Sequence, residues 1–402
     1  MLNRIEKGKN KMQKSKNTTI FILIVIFIYF LFSQFYLKDL GNIYTYVINP
    51  LFFLAMALIL KYTIKSPYKT DKYKKTITFY VIVTVITYGI VFLLSGIFLT
   101  YGNNPYSNTF KGIMLNMYSM GLVAICIEYI RYKLINNVSK NDKKLIFVLI
   151  VLIFTFRDIP FNTIINNLNI YFLFKTIFIT IVPSIMKNIL FTYIAIYTDY
   201  KPAAIYQILY YLILWIPPAL PNAPWVFNSI IDILFPLILL LYCMYEVSSK
   251  DKLHLYKLSN PIEPKGLIPL TAGIVLVIWF AIGIFPIKPI GIASGSMKPN
   301  LNVGDLVFIQ KCNANNIEIN DVIEYQRNEF SVIHRVVDKY QKDGETFFIT
   351  KGDSNSNQDS DPVSEEKLKG KVIGKIPYLA LPTIWIDSLS GRQAYVDVET
   401  GN

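Results

Sequence analysis

The sequence predicts a polytopic α-helical membrane domain of about nine spans, followed by a small mostly β domain. Three observations predict it. The chain is 53% hydrophobic and 17% charged, against about 25% charged for an ordinary soluble domain. As far as Pro286 its apolar runs are far longer than strands and are separated by short basic loops. Beyond Pro286 the runs shorten to strand length and turn signals appear between them. The expected divisions are a membrane domain over 1–247, a loop and anchoring span over 248–286, a β domain over 287–380 and a tail over 381–402.

Nine apolar segments meet or approach the roughly 20 residues that a helical span needs. They cover 18–37, 43–60, 76–99, 112–130, 145–166, 170–196, 203–219, 225–246 and 266–286. The second is short, the fifth contains Arg157-Asp158, and the sixth contains Lys175 and Lys187. The first is longer than a signal-peptide core and has no small-x-small site after it, so it reads as a retained span.

Charge sets the expected orientation. Residues 1–286 carry 27 Lys+Arg and 11 Asp+Glu, whereas residues 287–402 carry 13 and 16. With the basic N-terminus placed in the cytoplasm, the loops 61–75, 131–144, 197–202 and 247–265 fall on the same side. Together with the N-terminal arm they hold 22 Lys+Arg, against Lys38, Lys111 and Lys288 opposite. This is the asymmetry of the positive-inside rule. An odd number of spans delivers Ile287 and everything after it to the extracytoplasmic face. The same asymmetry explains the basic balance without nucleic acid, for which the chain has no basic-aromatic module.

Glu128, Arg131, Arg157, Asp158, Lys175, Lys187 and Asp232 are ionisable residues at membrane depth. Such residues either serve a function or pair with one another and snorkel to the interface. Several lie near span ends, which favours pairing. Glu128-x-x-Arg131 resembles part of the first motif of the membrane CAAX-processing proteases. That family also requires metal-binding histidines in later spans, and this membrane part has none. The chain has only two histidines, His254 and His334, and three widely spaced cysteines, Cys126, Cys243 and Cys312. No metal site, no disulfide in the β domain and no cofactor is expected.

In the β domain the strand-like runs are Leu306–Ile309, Asp321–Tyr325, Ser331–Val337 and Thr346–Thr350. Asp343-Gly344 separates the last two and signals a hairpin, which puts His334 on one arm. About 90 residues can bury one modest core. The stretch Ser294-Gly295-Ser296-Met297-Lys298-Pro299 follows shortly after the last apolar segment. Serine becomes a nucleophile only when a base takes its proton and donors stabilise the oxyanion. Gly295 permits a tight turn that exposes the Ser296 hydroxyl. An imidazole titrates near neutrality and serves as the base when an acid fixes its tautomer. With His254 across the bilayer, His334 is the histidine able to reach Ser296. Asp353, Asp359 and Asp361 all lie in one downstream loop and are candidates for the acid.

Ser294-Gly295-Ser296-Met297-x-Pro299, Gly304-Asp305, Val332-Ile333-His334-Arg335, and Gly352-Asp353-x-Asn355 with Asp359 together resemble type I signal peptidase. The histidine, where common bacterial enzymes carry lysine, is similar to the ER/archaeal-type branch. The resemblance covers 266 to about 380 and says nothing of residues 1–247. It implies Ser296 as nucleophile, His334 as general base, Asp359 as third catalytic residue and Asp353 as support for the loop. The family loop often has proline where Gln358 stands, and Asp361 is also available, so the third residue stays open among the three aspartates. The resemblance further implies an oxyanion held by the backbone N–H of Ser296 and the hydroxyl of Ser294. It implies exported preproteins bearing signal peptides as substrates, the lipid bilayer and secretion machinery as partners, and lipid contact through Met297 and Pro377-Tyr378-Leu379.

Overall fold

The computed structural model describes residues 2–65, 72–166, 169–250, 273, 286–327, 330–342, 344–381 and 384–385, with backbone alone for 2–11, 98 and 250. The chain divides into a helical unit, Met1–Leu168 with Leu173–Gly273, and a second unit that contains Ile274–Asn402.

In the helical unit, six helices among the described residues are long and apolar enough to cross a membrane. They are Met12–Phe35, Tyr44–Thr63, Lys74–Ile97, Phe110–Asn136, Ile170–Tyr197 and Trp225–Ser249. Their apolar residues do not all face a core. In the first helix Leu23, Ile26 and Phe30 are buried, while Phe21, Ile24, Ile28 and Phe32 are exposed on the opposite face. Helical spacing thus produces two apolar faces, one for neighbouring helices and one suited to lipid. One core cluster joins the first two helices to Phe110–Asn136 and Lys143–Asp158. Another joins Lys74–Leu99 to Ile170–Tyr197, Lys201–Trp215 and Trp225–Lys250. Two short strands, β1 (Tyr101–Asn103) and β2 (Ala219–Pro221), pair antiparallel between helix ends.

Two expected spans are shorter than the sequence suggested. Lys143–Asp158 has 16 residues and Lys201–Trp215 has 15, below the length a span needs. Pro160 accounts for the first. Ile159 adopts extended backbone, φ −74° and ψ 125°, as a residue before proline must, so 145–166 breaks into two helices. The second ends before Pro217-Pro218. The ninth expected segment, 266–286, lies outside the described residues but for Gly273 and Pro286. Among the described residues, six helices are long enough to span. Conversely, 112–130 extends to Asn136, because Arg131 is not a stop. Its Nε donates to Glu128 at 3.0 Å inside the bundle. Arg157 with Asp158 at 2.9 Å and Lys187 with Asp232 at 3.8 Å are two further ion pairs among the charges at depth.

The second unit is a seven-stranded antiparallel sheet. Its strands are β3 (Ile287–Gly291), β4 (Leu306–Gln310), β5 (Val322–Arg327), β6 (Phe330–Lys342), β7 (Glu345–Lys351), β8 (Val363–Ser364) and β9 (Leu368–Ile376). Their spatial order is β3-β4-β9-β5-β6-β7-β8. The expected β6–β7 hairpin is present, with Gly344 at φ +85° in its turn, a conformation that suits glycine. Period-two alternation sends Ile323, Tyr325, Val336 and Phe348 into a core with Ala314, Ile317 and Val363. Ile292, Met297, Leu301, Val307 and Ile309 form another.

Candidate active site

Three neighbouring strands aim side chains at one point. His334 on β6 stands opposite Ile323 on β5, and Val336 stands opposite Thr350 on β7. Tyr325 lies two residues from Ile323 and Val336 lies two from His334. Tyr325, His334 and Thr350 therefore share one face of the sheet. Asp359 returns to that face from the loop after β7, where its backbone N–H donates to the Thr350 carbonyl at 2.8 Å.

His334 is 2% exposed and links two partners. Its Nδ1 lies 2.7 Å from Asp359 Oδ2 and its Nε2 lies 3.1 Å from Ser296 Oγ. A carboxylate only accepts, so Nδ1 carries the proton and Nε2 is left as an acceptor for the serine hydroxyl. The same Asp359 oxygen accepts from Thr350 Oγ1 at 2.5 Å and from the Tyr325 hydroxyl at 2.9 Å. Burial pushes the Asp359 carboxyl upward, but the bonds from His334, Thr350 and Tyr325 outweigh it and hold the group below the usual carboxylate range. Burial raises the Tyr325 phenol, which therefore stays a donor.

The Ser296 turn is fixed from the acidic loop. The Ser354 N–H donates to the Ser296 carbonyl at 2.8 Å, and Ser354 Oγ donates to the Gly295 carbonyl at 3.0 Å. A Cβ on Gly352 would stand 2.7 Å from the Ser296 carbonyl oxygen, so only glycine permits this approach. Ser294 Oγ lies 3.2 Å from Ser296 Oγ. Gly304, at φ +98°, and Asp305 form the turn below. The Asp305 carboxylate accepts the N–H groups of Asn302 at 3.0 Å and Tyr378 at 3.2 Å. The Asn302 N–H is the main reason this carboxyl sits below its ordinary range.

The three candidate aspartates separate by position. Asp359 meets His334. Asp353 receives Arg335 in a two-point bond, Nε at 2.8 Å and Nη2 at 2.7 Å, and also accepts from Asn300 Nδ2 at 2.8 Å. Hydrogen bonding to Arg335 holds its carboxyl down. The exposed Asp361 has Ser360 Oγ at 3.5 Å. Met297, expected at the lipid, is instead 2% exposed and packs in the core with Leu301 and Val307. As the residue after Ser296 it anchors the turn inward. Tyr378 and Leu379 are 59% and 56% exposed. Thr350 and Tyr325 are the site residues that sequence reasoning missed. The sequence carries no signal for them, because the strand registers that bring them to His334 appear only in the fold. Among the described residues no group of three His, Cys, Asp or Glu side chains is arranged to hold a metal ion.

The chain matches no protein-family model. It is 34% identical over 85 residues to Signal peptidase I W of Bacillus subtilis, covering 21% of this chain and 45% of that protein. It is 33% identical over 107 residues to Signal peptidase complex catalytic subunit SEC11 of Lachancea thermotolerans, and 31% over 106 residues to that of Saccharomyces cerevisiae. Both cover 24% of this chain and 63% of the relative. The chain thus spans less than two thirds of each of these relatives. Over a segment of about a quarter of its length, it resembles type I signal peptidases.

Proposed function

We propose that this protein is a membrane-bound serine endopeptidase that removes signal peptides from exported preproteins. The observation that carries the reading is the continuous line from Asp359 through His334 to Ser296, with both hydrogen-bond distances in range. Ser296 Oγ attacks the scissile carbonyl carbon as its proton passes to His334 Nε2. Asp359 stabilises the imidazolium that forms. The Ser296 N–H, which donates to no protein acceptor among the described residues, and the Ser294 hydroxyl face the developing oxyanion. The C–N bond then breaks as His334 returns the proton to the leaving amine, and water hydrolyses the acyl-enzyme by the same base.

The substrate lies extended along a strand edge, with small residues such as alanine beside the scissile bond. The basic loops favour a multi-pass protein of the cell membrane with its N-terminus in the cytoplasm and the β unit outside. Tyr378, Leu379, Leu381 and Trp385 form an exposed apolar segment suited to the lipid surface. Cleavage of a purified preprotein by the full-length protein tests the reading. Ser296→Ala and His334→Ala should abolish it, and processing that survives either substitution would sink the proposal.

A second role belongs to residues 1–247, which the resemblance does not reach. We infer a scaffold or substrate-recruiting module with secretion machinery as its partner, because no nucleotide motif or internal repeat supports transport. Deleting 1–247 while keeping the last expected span should narrow the set of preproteins cleaved; unchanged processing of all of them would overturn it.

A further inference from the structure

The helical unit contains a cavity of about 170 Å³ that the peptidase reading does not use. Arg131, Arg157 and Lys187 line it against Glu128 and Asp158. Ionisable groups at membrane depth are costly and mark function unless each is satisfied by a partner. The carboxylates here are satisfied. Glu128 accepts from Arg131 Nε at 3.0 Å, Arg131 Nη2 at 3.3 Å and Gln207 Nε2 at 2.6 Å. Asp158 accepts from Arg157 Nε at 2.9 Å and from Ser184 Oγ at 2.6 Å. Arg131 is also well supplied with acceptors, since Nη1 reaches Thr192 Oγ1 at 3.0 Å and Nη2 reaches Asn188 Oδ1 at 2.7 Å as well as Glu128.

The donors on the other wall keep unused hydrogen-bonding capacity, although each cation has an ion-pair partner. Arg157 Nη1 and Nη2 reach no protein acceptor among the described residues. Lys187 Nζ stands 3.8 Å from Asp232, beyond hydrogen-bond reach, and 4.5 Å from the centre of the Tyr210 ring. Asp232 itself does not line the cavity. The lining hydroxyls of Tyr206 and Tyr211 likewise have no acceptor among the described residues. The Arg157 Nη1 and Nη2 groups, the Lys187 ammonium and two phenols therefore line one cavity without a hydrogen-bond acceptor in reach among the described residues. The lining holds three cations and two carboxylates, and a third carboxylate, Asp232, stands at ion-pair distance from Lys187.

The geometry points to a phosphate-binding site, taking a phosphate group either free or carried by a phospholipid. A tetrahedral oxyanion supplies the acceptors that the Arg157 fork and the Lys187 ammonium lack. A cavity of this size has room for one phosphate group and its hydration.

The test uses the full-length protein in a phosphate-free detergent, with thermal unfolding as readout, so no peptidase activity is needed. One arm adds inorganic phosphate at constant ionic strength set with chloride. The other adds phosphatidylglycerol to the micelles, against a phosphate-free glycolipid. The expected result is a rise in Tm with at least one phosphate carrier, and the carrier identifies the source. Arg157→Gln should weaken the apparent affinity at least tenfold, and Tyr211→Phe, which leaves every charge in place, about threefold. If Arg157→Gln fails to fold, Tyr211→Phe decides. Absence of a shift with both carriers, or a shift unchanged in the folded variants, overturns the assignment.

Discussion

Thr350 Oγ1 donates at 2.5 Å to the same Asp359 oxygen that receives His334 Nδ1. The threonine therefore fixes where the carboxylate stands, and through it the tautomer and tilt of the imidazole. Thr350→Val keeps the branched shape and removes the donor. A hydrogen bond to a charged group contributes about 1.5–3 kcal/mol, so kcat for preprotein cleavage should fall roughly tenfold to a hundredfold with KM little changed. Thr350→Ser should restore most of it. Equal losses in both variants would assign Thr350 a packing role only.

The depressed Asp359 carboxyl makes a statement about acid stability. Its folded pKa lies below the unfolded reference of about 3.9, so the group contributes stability that is fully present above that reference. The contribution is lost as pH falls through the lower folded value. Tyr325→Phe removes one of the bonds that hold it down and should move the acid limb of the stability curve to higher pH. Asp359→Asn should flatten that component. Unfolding followed from pH 6 to pH 2 reads both, and coincident acid limbs for the wild type and Tyr325→Phe would refute the assignment.

Asp353 and Asp359 should separate sharply in kinetics. Asp359→Asn replaces one carboxylate oxygen with an amide donor and so favours the wrong His334 tautomer, a change that costs about 10⁴ in kcat in a serine–histidine–aspartate site. Asp353→Asn disturbs only the Arg335 and Asn300 contacts. It should cost roughly tenfold or less, since it touches neither His334 nor Ser296 and removes bonds to a partly exposed arginine. Single-turnover cleavage by the two variants checks the order. A reversed order would exchange the roles of the two aspartates.

Much of this site was legible in the sequence because its pieces are local. A glycine beside Ser296, a strand around His334 and a hairpin turn at Gly344 each announce themselves over a few residues. The convergence of Thr350 and Tyr325 was not legible, since it depends on registers between strands that composition does not specify. Choosing among the aspartates had the same limit: three carboxylates within nine positions differ only in where the loop returns to β7. In the membrane part the apolar runs identified the helices, but lengths were misjudged wherever tertiary pairing or proline decided them. Arg131 looked like a boundary and is buried beside Glu128. Ile159-Pro160 looked like interior and is a break. Met297 looked exposed by analogy and is core, because the residue after a tightly turned serine points back under the turn.

Gly352 carries a steric prediction. Its backbone needs no unusual dihedral, so only space is at issue, and an added Cβ would meet the Ser296 carbonyl at 2.7 Å and Asn355 Nδ2 at 2.8 Å. Gly352→Ala must push the acidic loop away from the nucleophile turn and weaken the Ser354 bonds to Gly295 and Ser296. Overpacking of this kind costs about 1–3 kcal/mol. The catalytic loss should exceed the thermal one, because a displaced serine fails before the sheet does. Activity and unfolding of the same preparation check it, and normal cleavage with reduced stability would contradict it.

The Glu128–Arg131 pair bears on the helical unit alone. Both side chains are almost fully buried, and Arg131 also bridges to Asn188 and Thr192 on the Ile170–Tyr197 helix and lies 4.6 Å from the Phe154 ring. Glu128→Gln leaves the guanidinium buried without its counter-charge, a change that costs about 3–5 kcal/mol in a buried pair. Replacing both residues, Glu128→Gln with Arg131→Met, removes the orphaned charge and should recover a large part of that loss. Thermal unfolding of the full-length protein in detergent measures the cycle. A double variant as unstable as the sum of the two single variants would show that the residues act separately, through packing rather than as an ion pair.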